Sequence, residues 1–135
     1  MSPETALQKA LIDTLSAAES VQALLGDPVR IFDETPSDVV FPYSTIGRIE
    51  TGANGASAHD GLQHAITLHV WSRYGGRAEA QAILGAFRAV LDDAGVSVED
   101  RRITLCLVTL VDAFRAGDGR TTQGVLRLKI HSEPI

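Results

Sequence analysis

The sequence predicts an α+β domain in which two helices pack on one face of a mainly antiparallel sheet, in the order α-β-β-β-α-β-β. Three observations carry this. From His64 to Arg73 (HAITLHVWSR), Ile66, Leu68 and Val70 point one way at period two while Thr67, His69, Trp71 and Arg73 point the other, as a half-buried strand requires. After Gly75-Gly76 the period becomes helical: Ala80, Ile83, Leu84, Phe87, Val90 and Leu91 share one face, with Glu79, Gln81, Arg88 and Asp92 opposite. Near the end of the chain, Gly117-Asp118-Gly119 separates two extended apolar runs, a tight hairpin signal.

The remaining elements follow in order. Ser2 reads as an N-cap, Pro3 suits the first helical position, and Glu4 favours the helix dipole. One long helix is expected from there, with Leu7, Leu11, Leu15, Ala18, Val21 and Leu25 on one stripe, until Gly26 and Asp27-Pro28 stop it. Val29 to Phe32 suits a short strand, and Asp33 to Asp38 a turn region. Phe41-Pro42-Tyr43 leads into a second strand, Tyr43 to Thr51, which Gly47 weakens. The small polar residues from Gly52 to Gly61 make a loop between strands. Asp93-Ala94-Gly95 ends the second helix, and Val96 to Val98 forms a short extended piece.

The last two strands, Arg102 to Phe114 and Thr121 to Ser132, differ in character. The final one alternates, with Leu126, Leu128 and Ile130 inward and Arg127, Lys129 and His131 outward. Its partner is apolar on both sides. Simple alternation sets Ile103, Leu105 and Leu107 on one face and Cys106, Val108 and Leu110 on the other, so one face calls for the helices and the second for another subunit.

Composition narrows the class of function. A chain of 135 residues with 44% hydrophobic content suits one domain. With no run of about 18 apolar residues and no signal-peptide pattern at the N-terminus, a soluble cytosolic product is expected. The net charge of −5 argues against a general nucleic-acid binder. Its distribution is uneven: residues 1–100 carry 14 acids and 6 bases, residues 101–135 carry 3 acids and 6 bases. If these regions occupy different faces, copies of the chain attract one another head to tail, although a mixed solvated surface would give similar counts.

No motif brings chemistry together. His64 and His69 are five apart on a strand and face opposite sides, so they do not converge on one metal ion, and paired cysteine ligands are lacking. His59-Asp60 lies in the glycine-rich loop without the further ligands of a phosphohydrolase. Gly52, Gly55 and Gly61 have the wrong spacing for a phosphate cradle, and no G-x-S-x-G elbow presents a serine. Cys106, within ITLCLVTLV, reads as a core thiol. The acid pairs Asp92-Asp93 and Glu99-Asp100 suit solvated helix-end and turn positions. No catalytic, cofactor-binding or metal-ligating residue is assigned, and no cofactor is expected.

Association is the remaining theme. Trp71, Arg73 and Tyr74 cluster at a strand end, and these residue types are enriched at interfaces; a rim covering the local core would use them equally well. Taken in order, the N-terminal helix, FPYSTIG before a polar loop, HAITLHVWSR-GG-RAEAQAILGAFRAVLD and a hairpin ending GVLRLKI resemble the tail-completion proteins of long-tailed bacteriophages and phage-like gene transfer agents, the group that includes tail terminators.

That resemblance implies a non-enzymatic α+β subunit, assembled in the bacterial cytoplasm, that forms a ring, usually a hexamer, on the head-proximal end of the tail tube. Its partners would be copies of itself, the tube protein and head-tail connector proteins. DNA would pass the acidic lumen without specific binding, and no membrane would be involved. The two-sided strand with Cys106, Val108 and Leu110, the outward Arg127 and Lys129, and the Trp71-Arg73-Tyr74 end become candidate contacts. The loop with Asn54, His59 and Asp60 would order on a neighbour or on the tube. A neighbouring neck component, an adaptor or stopper, is the nearest alternative; a small α+β enzyme or ligand-binding dimer is a third.

Overall fold

Ser2 opens the first helix by the mechanism its residue type allows: its Oγ accepts from the Thr5 N–H at 3.1 Å, ahead of Pro3. In the computed structural model, which describes residues 1–55, 60–93 and 95–135, α1 runs over Pro3–Ser16 and buries Leu7, Leu11 and Leu15. The expected single long helix is divided. Ala18 is extended (φ −82°, ψ 126°), and a separate α2 covers Glu19–Leu25, burying Val21 and Leu25. The apolar stripe continues across the break, so periodicity does not reveal it. Gln22 Nε2 donates to the Ser16 carbonyl at 2.9 Å, supplying a partner at the end of α1.

Among the described residues, three helices therefore cover one face, in the order α-α-β-β-β-α-β-β. β1 (Ile31–Phe32) pairs in parallel with β2 (Tyr43–Ala53); β2 to β3 (Leu62–Ser72), β3 to β5 (Thr122–Pro134) and β5 to β4 (Arg101–Arg115) are antiparallel, giving the sheet order β1-β2-β3-β5-β4. α3 (Ala78–Asp93) follows β3 through Gly75 and Gly76, whose φ of 94° and 105° place both in the conformation glycine tolerates best.

The alternation of β3 and β5 sets the core: Ile66, Leu68, Val70, Leu126, Leu128 and Ile130 meet Ala80, Ile83, Leu84, Phe87 and Leu91 of α3 and the leucines of α1. Gly47 marks an irregular register between Ile46 and Ile49 rather than a weak strand. A Cβ there would lie 2.6 Å from His69 Nε2, so a side chain would collide with β3.

β4 departs from simple alternation. Register shifts between Ile103 and Leu105 and between Val108 and Leu110 each insert one residue, and each reverses the faces beyond it. Ile103 thus sits opposite the inward Ser132, on the same side as Cys106 and Val108. Leu110 sits opposite the outward Arg127 and joins Leu105 and Leu107. The expected grouping is corrected accordingly. The anticipated extended piece at Val96 to Val98 is reduced to an isolated bridge from Val98 to Arg101.

Candidate assembly interface

The face of the sheet turned away from the helices carries Trp71, Leu110, Arg127 and Lys129 among the residues singled out for contact. At one end Trp71 is half-buried, donates through Nε1 to Thr45 Oγ1 at 3.1 Å, and has Tyr43 and His69 beside it at ring-centroid distances of 6.4 and 5.8 Å. Phe41 meets Tyr43 edge-on at 5.0 Å, and the Arg73 guanidinium lies 4.2 Å over the Phe41 ring. Arg73 Nε also donates to Thr121 Oγ1 at 3.2 Å. Trp71 and Arg73 therefore hold the approach to β2 and the end of the β4–β5 hairpin together within the subunit. Tyr74 is different: it is 70% exposed.

The hairpin tip is fastened by Asp118, whose Oδ1 accepts from the N–H groups of Arg120 and Thr121 and whose Oδ2 accepts from Thr121 Oγ1. The Thr121 hydroxyl, more than any other partner, lowers its carboxyl to about 2.

Further along the open face, Arg48, Arg127, Lys129 and His69 border a shallow trough of about 850 Å³. Burial pushes the His69 imidazole down, so it is the neutral member of this group at neutral pH. Beside Arg127 and Lys129, the register sets Leu110 and Leu107, which are 40% and 48% exposed, and Phe114 extends the stripe at 37%. Val108, by contrast, is buried in the core, and Cys106 packs against that core half-buried, with its thiol pushed up by burial and so held in the unreactive form. Those two have little surface to offer; Leu110 has much.

In the loop between β2 and β3, the Asn54 N–H donates to the Gly61 carbonyl at 2.9 Å, and Asp60 is exposed with φ 50°. His59 lies outside the described residues. Among the described residues, no three His, Cys, Asp or Glu side chains converge as a metal site would require, and no helix is long and apolar enough to cross a membrane.

A buried polar set escaped the sequence reading. His64 Nδ1 is 2.9 Å from Thr51 Oγ1 and its Nε2 is 2.9 Å from Ser132 Oγ, which also accepts from Arg101 Nε at 2.9 Å. The signal was present: His64 and Ser132 occupy inward positions of β3 and β5, where the alternation otherwise calls for apolar residues. Both are almost completely buried, so this serine and histidine tie four strands together and present no nucleophile to a substrate. Burial pushes the His64 imidazole down.

This fold, with its unpartnered sheet face, has relatives. Residues 9–133 match the model of the family described as tail completion protein gp17. The chain belongs to that family. No curated protein sequence matches it. Among solved structures, it is similar to a chain of the virion of a native gene transfer agent particle, with a TM-score of 0.86, 21% identity and 96% of each chain covered. It is also similar to the gp17 protein of bacteriophage SPP1, with a TM-score of 0.63, 22% identity, and 93% of this chain and 88% of that one covered. At these identities the two structures establish the shared fold, and the family match adds the class: tail completion proteins.

Proposed function

We propose that the chain is a non-enzymatic, ring-forming subunit of the head-tail junction, which caps the head-proximal end of the tail tube and joins it to the head connector. The family match along residues 9–133 carries this reading, and the similarity over 96% of both chains to a component of a gene transfer agent virion supports it. The exposed Leu107, Leu110 and Phe114 fit it as well, because a subunit working alone gains nothing from an apolar stripe in water. DNA passes the lumen without specific contact, and the net charge of −5 suits such a passage.

Electron microscopy of the purified protein, alone and mixed with tail tubes, tests the reading: rings seated on tube ends are expected, and bare tube ends beside a monomeric protein would overturn it. Deleting the gene separates this role from that of a stopper. Overlong or unjoined tails are expected, whereas filled heads that leak their DNA would assign the chain to the neighbouring position.

A further inference from the structure

The helix side of the molecule has a concave counterpart to the stripe on β4. A groove of about 450 Å³ lies between α1 and residues 97–100, with Ala6, Ala10 and Val98 as apolar lining and Asp13, Glu99 and Asp100 as acidic lining. Lys9 neutralises Asp13 at 2.6 Å. Among the described residues, no ion pair neutralises Glu99 or Asp100. On the open sheet face the situation is reversed: among the described residues Arg127 and Lys129 have no acidic partner within 4.0 Å, and they flank Leu107 and Leu110. An exposed apolar stripe with basic flanks thus matches a groove that has apolar lining residues and an acidic rim, and both belong to the same chain.

We infer that the groove between α1 and residues 97–100 of one copy receives the Leu107-Leu110-Phe114 stripe of the next, with Glu99 and Asp100 facing Arg127 and Lys129. The inference rests on the ring reading above and supplies its contact. The two surfaces are different patches, so the contact is heterologous and repeats from copy to copy until it closes. Apolar burial at its centre supplies affinity, while the flanking charges set orientation and rate and make assembly weaken with salt.

Two variants test it. Leu107→Ser with Leu110→Ser removes the apolar centre of the stripe and keeps its basic flanks; Glu99→Lys with Asp100→Lys makes the groove rim basic, so an altered stripe and an altered groove repel each other. All four residues are exposed, so circular dichroism and thermal unfolding should match the wild type. In light scattering after gel filtration, each variant alone should be monomeric. Mixed in equal amounts, they should form a dimer and nothing larger, because one intact stripe meets one intact groove and both outer ends are blocked.

A mixture that stays monomeric, or a groove variant that assembles like the wild type, would overturn the inference. A wild-type protein that remains monomeric at high concentration would also overturn it. The ring reading fails separately: tubes left uncapped by the wild-type protein sink that reading, whereas rings unaffected by either variant sink only this contact.

Discussion

On the helix-covered face of the sheet, Ile66, Leu68, Val70, Leu126, Leu128 and Ile130 are all almost inaccessible, and even the polar His64 and Ser132 are satisfied by hydrogen bonds. On the open face the same strands present Gln63, Thr67, Arg127 and Lys129, and β4 adds exposed Leu107, Leu110 and Phe114. The first face is filled at its centre, and only toward the edge strand does an inward residue, Val111 opposite Leu126, stay 39% exposed. The second carries apolar area that the subunit leaves uncovered. Substitutions should therefore separate into those that lower stability and those that lower association, and the separation can be broken from either side.

The largest loss of stability should come from Phe87→Ala. The ring is fully buried where α3 meets the sheet, and removing it leaves a cavity, which costs about 3–5 kcal/mol. Urea unfolding should show a much lower midpoint with an unchanged slope. A change of less than about 1 kcal/mol would mean that α3 is not the keystone of the covered face. Trp71→Ala comes next, at about 2 kcal/mol, because it removes half-buried ring contacts and the bond to Thr45. Retained stability with lost assembly would instead move Trp71 from the subunit to its interface.

The two faces also differ in how much of them could be read from the sequence. The strand-turn-helix from His64 to Leu91 was legible because burial imposes a strict period on both elements, two and then 3.6. The break at Ala18 was not, because the stripe of Leu7, Leu11, Leu15, Val21 and Leu25 suits a continuous helix equally well. The open face was hidden for another reason. Two inserted residues in β4 reverse its alternation, so Leu110 changes sides although nothing in ITLCLVTLV differs in character before and after the shift. A candidate contact set drawn from alternation alone therefore mixes a core residue, Val108, with a surface one, Leu110.

A pH dependence sharpens the comparison within the covered face. Burial holds the His64 imidazole below its ordinary value, so the unfolded chain binds the proton more readily than the folded one. Stability from this group is complete above about pH 6.5, the unfolded value, and is lost as the pH falls from there toward the folded one. His69 shifts in the same direction and adds to the effect. The urea midpoint should drop between pH 7.5 and 5.5, and His64→Gln should flatten that drop. A midpoint that rises on acidification would contradict the buried neutral histidine.

The smallest effect on stability should come from Leu110→Ala. Leu110 is 40% exposed and faces solvent opposite Arg127, so truncation leaves no cavity, and a change within about 0.5 kcal/mol is expected. Its effect on association should rank in the opposite order, because an exposed apolar side chain pays its hydration cost in the isolated subunit and recovers it on docking. Sedimentation at several concentrations, set beside the urea midpoint of the same sample, measures both quantities. Loss of stability comparable to that of Phe87→Ala would place Leu110 in the core and remove the distinction between the two faces; weakened association with an unmoved midpoint would establish it.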